Sequence, residues 1–336
     1  MSFSHAAIRK AGQVGPLRYL ISNNMHSTWR LLITPPLPGS TNMAIDQALL
    51  DLYPVTQQPT LRLYQWSPAC VSLGLAQRLK RDVDRAACAA RGIDIVRRPT
   101  GGRAILHDYE LTYALVIGSE TPTIVSGSIL HSYRTISQAL CCGLQRLGLQ
   151  PELAPRPARH AAKSAACFDL AGDYEITIEG RKLVGSAQAR QQGVVLQHGS
   201  LLFHADVAAL AAVLRLPPAL EAAVLAQRLI ALDEVLGVAP TFEAVSEAMI
   251  AGFAESWQLD FVQGDLTPAE QERVAERLVD QTLPVGGVHS LRRVRNREFR
   301  HRTTLHRNGV ELAVAHGVNL ARRGEEHGAA VGREPL

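Results

Sequence analysis

Apolar and polar positions along the chain alternate between two periods. Ala44, Ile45, Ala48, Leu49 and Leu52 share one helical face, and Ser40 or Thr41 is the expected cap of that helix. Leu61, Leu63 and Gln65 then alternate with Arg62, Tyr64 and Trp66, which predicts a strand; Ser67-Pro68 turns the chain into a second strand, Cys70–Leu73. A short helix near 82–90 leads to a strand at 93–97, broken by Pro99-Thr100-Gly101-Gly102, and strands resume at 104–106 and 111–117. Ile129, Tyr133, Ile136, Leu140, Leu144 and Leu147 recur at helical spacing and enclose Cys141 and Cys142 as core or boundary residues. After a Pro-, Arg- and Ala-rich stretch at 151–166, Tyr174, Ile176 and Ile178 alternate with Glu175, Thr177 and Glu179, the pattern of a half-buried strand. Glu179-Gly180 predicts a tight turn into 182–188, and Gly193 another into 194–197 and 201–203. Helices are expected from Asp206, near 219–230, at 241–257, and at 268–280 behind Thr267. A hairpin turn is expected within 303–310, and no repeat is evident.

This order of elements gives an α/β (α+β) fold, a mixed β-sheet flanked by helices, without the regular alternation of a doubly wound sheet. Residues 1–28 lack periodicity and read as an extension, 29–265 as the body, and 266–336 as a helix followed by a basic tail.

With 336 residues, 46% hydrophobic and 20% charged, disorder and fibrous folds are poor readings. No apolar run reaches the ~18 residues of a membrane span, and no secretory leader is evident. Five cysteines, an odd and low number, argue against a disulfide scaffold and for a reducing cytoplasm. Residues 1–45 hold four basic and no acidic residues, and 285–336 hold ten Arg against five Glu. These ends exceed the net charge of +4, so the body is mildly acidic. Basic ends attract nucleic acid or an acidic protein, or are plain solvated tails. Lysine is scarce: Lys10, Lys80, Lys163 and Lys182 stand against 31 arginines, so each retained lysine is worth a reason.

Three segments could carry chemistry. Arg97-Arg98-Pro99-Thr100-Gly101-Gly102-Arg103, followed by His107, offers backbone amides and cations suited to a phosphate, but it is neither a Walker loop nor a dinucleotide fingerprint; its plain reading is a hairpin turn. Lys182 precedes the small residues Gly185, Ser186 and Ala187 and then Gln188, so something other than side chains packs on that strand; the plain reading is a bulged edge strand with a solvated lysine. Cys167, in Cys167-Phe168-Asp169, is a capable nucleophile if a cation favours its thiolate, and Lys182 is the candidate cation. His198, beside Gly199, is a further candidate partner or a hydrogen-bonded structural residue.

Asn42-Met43-Ala44-Ile45-Asp46, Leu63 through Pro68, Arg97 through Asp108, Cys167-Phe168, Tyr174-Glu175, Gly180 through Arg190 and Leu196 through Ser200 together resemble the lipoate/biotin protein ligase superfamily. Within it they are most similar to cysteine-dependent octanoyltransferases. The resemblance implies transfer of an octanoyl group from acyl carrier protein to a lysine of a lipoyl-domain protein, such as a glycine-cleavage H protein or a dehydrogenase E2. It implies Cys167 as the thioester-forming nucleophile and Lys182 as the residue that lowers its pKa. It implies Arg98, Thr100, Gly101, Gly102, Arg103, His107, Gly185, Ser186, Ala187, Gln188, His198 and Gly199 as substrate-contacting residues. No cofactor, metal, membrane or nucleic acid is expected. Arg103, where the related ATP-dependent ligases carry a small residue, favours the transferase over such a ligase; a non-catalytic carrier- or nucleic-acid-binding protein is the third reading. Leu170-Ala171-Gly172 departs from the family's usual residues after Cys-Phe-Asp.

Overall fold

A computed structural model describes residues 27–119, 121, 124–125, 127–154, 175–217 and 222–281. Cys167, the 151–166 loop beyond residue 154, the expected turn at 303–310 and both basic ends therefore lie outside the described residues.

Among the described residues the central sheet has eight strands: β1 (Ser27–Ile33), β2 (Thr60–Tyr64), β6 (Glu110–Gly118), β7 (Glu152–Leu153), β8 (Ile176–Ile178), β9 (Arg181–Gln191), β10 (Val194–Leu202) and β11 (Leu259–Gln263). Their order is β11-β1-β2-β6-β10-β9-β8-β7; β11, β1 and β2 run parallel and the remaining pairs antiparallel, so the sheet is mixed. One face packs on α4 (Ile129–Arg146) and α8 (Phe242–Trp257), through Leu61, Leu63, Leu115, Val195, Ile136, Leu140 and Phe253. The other carries α1 (Gly39–Thr56) and α9 (Pro268–Gln281), with Met43, Leu49, Val116, Leu196 and Val274 in contact. A second sheet, β3 (Cys70–Leu73) flanked by β4 (Asp94–Arg97) and β5 (Ile105–His107), packs with α3 (Arg85–Ala90) and α5 (Val207–Val213) around Val71, Cys88 and Leu210.

Local chemistry explains most boundaries. Glu179 and Gly180 have φ of 51° and 73°, and Gln192 and Gly193 have 50° and 73°, the two successive left-handed positions of a tight hairpin turn. Asp206, Ser128 and Thr241 cap α5, α4 and α8 by accepting a backbone N–H. Thr267 and Glu270 cap each other's backbone N–H at the start of α9, with Pro268 in the first turn.

Other expectations need correction. α1 starts at Gly39 behind Pro38, without a side-chain cap from Ser40 or Thr41. The helix expected near 82–90 is two short ones, α2 (Leu79–Asp82) and α3, because Val83 is extended and bridges to Leu214 while Asp84 caps α3. The helix expected near 219–230 is described only as α6 (Ala222–Ala226); Leu229 bridges to Lys182, and α7 (Leu232–Leu236) follows. The alternation in β2 and β8 does not separate core from solvent: Arg62 and Thr177 are as buried as their neighbours, because both sheet faces are covered.

Candidate active site

The diglycine segment is not a hairpin. β4 and β5 lie on opposite sides of β3, so the loop joining them crosses the end of β3, and a Cβ at Gly74 would fall 2.1 Å from the Gly102 carbonyl oxygen. Gly102 takes φ of 86°, a left-handed value that favours glycine. Arg98, 2% exposed, holds this loop from inside. Its Nη1 donates to the Ser72 carbonyl (3.0 Å) and Oγ (3.1 Å), its Nε to Thr100 Oγ1 (3.2 Å), and its Nη2 to the Gly101 (2.8 Å) and Arg103 (2.6 Å) carbonyls. Arg97 donates to the Gly74, Leu75 and Gln77 carbonyls, and burial depresses its pKa. The two arginines expected to meet phosphate thus brace the loop. Gly101 and Gly102 are exposed on it, and Arg103 is half-buried.

Two acid–imidazole–hydroxyl chains meet at Arg98. In the first, Asp46 Oδ2 faces His198 Nδ1 at 3.0 Å, and His198 Nε2 faces Thr100 Oγ1 at 2.6 Å. Arginine only donates, so Thr100 accepts from Arg98 and gives its own hydrogen to Nε2; the ring proton sits on Nδ1, toward Asp46. Burial lowers the His198 pKa, against the pull of Asp46 and with the help of Arg98 and His107. Burial alone would raise Asp46, but His198 and Arg62 hold it below the usual carboxylate range. Arg62 Nη1 bonds Asp46 Oδ1 at 2.7 Å, Tyr64 donates to Oδ2 at 2.9 Å, and Asn42 Oδ1 accepts from Arg62 Nη2 at 2.6 Å. The second chain repeats the order: Glu110 Oε1 to His107 Nδ1 (2.7 Å), and His107 Nε2 to Ser72 Oγ (2.7 Å). Trp66 stacks on His107 at 3.9 Å between ring centroids and donates to Thr112.

Above this framework lies a narrow pocket bordered by Met43, Tyr64, Trp66, Ile105, Gly185 and Ala187, with Arg98, His107, His198 and Gly199 also on its wall. β9 and β10 open it by having little to put there: Gly185 pairs with Ser200, and Ala187 with His198. The alternation of the strand sends Ser186 and Gln188 to the opposite face. There Ser186 Oγ meets Tyr113 OH at 2.8 Å, and Gln188 Nε2 donates to Gln197 at 2.9 Å and to Ser132 on α4 at 3.1 Å. These two expected substrate contacts therefore sit apart from the pocket wall.

Lys182 lies on β9, three residues before Gly185. The edge-strand reading fails, because β9 is paired on both sides, and Lys182 is 1% exposed. Its Nζ lies 2.5 Å from Glu175 Oε1, itself nearly buried, and its backbone bonds Arg228 and Ile230. Taking an ammonium out of water is costly without a counter-charge, and Glu175 supplies one here.

Sequence reasoning about the site missed Asp46, Arg62, Trp66, Ser72, Glu110 and Glu175 as its framework. A signal existed: Asp46 lies on the apolar face of α1, and a charge among core positions needs a partner. Among the described residues no three His, Cys, Asp or Glu side chains group as a metal site, and no helix is long and apolar enough to cross a membrane.

Comparison with known proteins gives a consistent picture. The family model of the lipoyl protein ligase A/B catalytic domain matches residues 38–254. Octanoyltransferase LipM of Kyrpidia tusciae is 44% identical over 266 residues, 76% of this chain and 96% of that protein. LipM of Moorella thermoacetica is 43% identical, covering 74% and 93%. Among solved structures, lipoate-protein ligase A bound with ATP superposes with a TM-score of 0.65 at 26% identity, covering 75% of this chain and 94% of that one. A bipartite lipoate protein ligase from Thermoplasma acidophilum, described with its E2 lipoyl domain, gives 0.64 at 27%, covering 76% and 93%.

Proposed function

The chain belongs to the lipoyl protein ligase A/B catalytic domain family, and from that membership we propose that it transfers an octanoyl group from acyl carrier protein to a lysine of a lipoyl-domain protein, through a thioester on Cys167. This is an acyltransferase reaction at the start of lipoate assembly. The observation that carries the reading is the buried lysine: Lys182, 1% exposed and paired with Glu175, on the strand whose Gly185 and Ala187 open the pocket.

The chemistry balances without ATP. The Cys167 thiol gives up its proton and the thiolate attacks the donor thioester carbonyl; the carrier sulfur leaves as a thiolate that takes up one proton in exchange, and an octanoyl-Cys167 thioester remains. The unprotonated amine of the acceptor lysine then attacks that carbonyl. The amide forms, and the sulfur leaves as the thiolate while the amine gives up its proton. Thioester exchange is near neutral in energy and amide formation is downhill. A thiol with an ordinary pKa of ~8.5 is only slightly ionised at neutral pH, so a nearby ammonium raises the reactive fraction. The same ammonium stabilises the oxyanion at each attack. The eight-carbon chain lies in the apolar part of the pocket, between Met43, Tyr64, Trp66 and Ile105; burying its seven methylene and methyl groups is worth roughly 5–6 kcal/mol.

Intact-mass analysis after incubation with octanoyl-carrier tests this. The expected result is an octanoyl adduct on Cys167, absent in Cys167→Ala, with acceptor octanoylation abolished in that variant. Full activity of Cys167→Ala would overturn the proposal. Activity only with free octanoate and ATP would assign the chain to the ligases instead.

A further inference from the structure

We infer that the segment Arg78 to Arg91, which carries α2 and α3, is a docking face for an acidic protein that brings the acyl thioester to the pocket. The inference rests on the octanoyl-transfer reading for what that protein carries, and on the following observations for where it lands.

The body of the chain is net acidic, yet residues 78–91 hold Arg78, Lys80, Arg81, Arg85 and Arg91 against only Asp82 and Asp84. All five cations are exposed. Both acids are already engaged, and each offsets one cation: Asp82 pairs with Arg81 and Asp84 with Arg215, which leaves Arg78, Lys80, Arg85 and Arg91 in excess. Asp82 is buried; its carboxylate accepts from the Arg78 backbone N–H (2.9 Å) and from Arg81 Nε (2.8 Å). Asp84 is half-buried and caps α3. Arg215, 57% exposed, approaches Asp84 from the end of α5.

This charge adjoins the pocket. The turn before α2 is tied to the diglycine loop by Leu75 N–H to the Thr100 carbonyl (2.9 Å) and by Arg97, which donates to the Gly74, Leu75 and Gln77 carbonyls. A Cβ on Gly102 in that loop would be 3.8 Å from the Cβ of Ala187, on the pocket wall. Leu75, an exposed apolar side chain at 52%, belongs to this same turn, three residues before Arg78. Cations around one apolar contact suit an acidic protein surface. Nucleic acid would draw on the charge alone, with no use for Leu75 or for the pocket beside it.

The test compares two octanoyl donors, octanoyl-acyl carrier protein and S-octanoyl-pantetheine, with the full chain and its Lys80→Glu/Arg85→Glu variant. The readout is the ratio of kcat/KM for the two donors. The variant is expected to lower that ratio about tenfold through the KM of the carrier-borne donor, and to flatten its salt dependence, as loss of rim charges does. Arg273→Glu on α9 is the control and should leave the ratio unchanged. Calorimetric binding of the unacylated carrier gives a second readout that needs no turnover, with weakening of about fivefold or more expected. An unchanged ratio with unchanged carrier affinity overturns the docking face and leaves the transfer reading standing. Binding of a DNA duplex that the variant loses while the carrier ratio holds overturns it in favour of nucleic acid. If neither donor is used by the wild-type chain, the transfer reading fails, and the affinity measurement alone decides the surface.

Discussion

Lys182 and Glu175 form a buried ion pair in a strand interior, and such a pair behaves asymmetrically. Lys182→Met leaves the Glu175 carboxylate buried without that ammonium, and a loss of about 3 kcal/mol or more is expected in urea unfolding. Lys182→Met/Glu175→Gln should recover much of the stability while acyl transfer stays absent, which separates the chemical role from the structural one. Lys182→Arg should also transfer poorly, because a guanidinium is broader than an ammonium and does not fill its place. His198 makes the second prediction. Its buried imidazole titrates below the ordinary value near 6.5, so the unfolded chain binds the proton more readily than the folded one as pH falls past that value. Stability should therefore decline from about pH 6.5 downward, with a slope approaching 1.4 kcal/mol per pH unit from this residue. His198→Gln should remove that component, leaving a shallower decline between pH 7.5 and 5.5 in urea midpoints. Asp46, held below the usual carboxylate range, stabilises the fold above its unfolded pKa and is lost only at more acid pH.

At the scale of elements, glycines set how closely pieces approach. α4 and α8 touch through Gly143 and Gly252: a Cβ at Gly252 would lie 2.3 Å from the Gly143 backbone nitrogen, and one at Gly143 would lie 2.9 Å from the Ala248 carbonyl. Gly252→Ala must separate two helices that share one core, so a cost of about 2–3 kcal/mol is expected in thermal or urea unfolding. Gly199 plays the same part between strands, where a Cβ would lie 2.8 Å from the Gly185 carbonyl and 2.7 Å from Tyr113. The hairpins β8–β9 and β9–β10 were legible in the sequence because their turns need two left-handed residues and Glu-Gly and Gln-Gly supply them. β1 and β11 were not: Ser-Thr-Trp-Arg-Leu-Leu-Ile has no period, and its two partners, one parallel on each side, lie 30 and 232 residues away in register, at Leu63 beside Ile33 and at Leu259 beside Ser27. The bracing role of Arg97 and Arg98 was hidden for a related reason. Whether an arginine braces its own loop or faces a ligand depends on where β3 runs, which the local residues do not encode.

Across the whole described body, the site is assembled from both sheets, and only the order of motifs, not their contacts, could be read from the chain. Asp46 on α1, Arg62 on β2, Thr100 after β4 and His198 on β10 form one network, and no local pattern announces a pairing across 152 residues. α1 is itself held from behind by α9, which the sequence placed apart from the body as the start of a C-terminal region. Arg277 bonds Asp51 of α1 at 2.5 Å, Val274 is buried against the core shared with α1, and Glu270 takes both ends of Arg30 from β1, at 2.6 and 2.8 Å. Glu270 thereby ties the capping box of α9 to the central sheet. Burial would raise its pKa, but Arg30 and the Thr267 N–H outweigh that and keep it below the ordinary carboxylate value. Its contribution is full above the unfolded pKa and disappears as pH falls through the depressed folded one. Glu270→Gln keeps the shape but weakens the charge-assisted bonds, so a loss of about 1–3 kcal/mol is expected at pH 7. The difference between Glu270→Gln and the wild type should shrink as the pH is taken below about 4. A chain ended at residue 265 should lose more than the point variant at every pH, because it also uncovers the apolar back of α1 that supports Asp46. A truncated chain as stable as the full one would show that α9 only rests on α1 rather than supporting it.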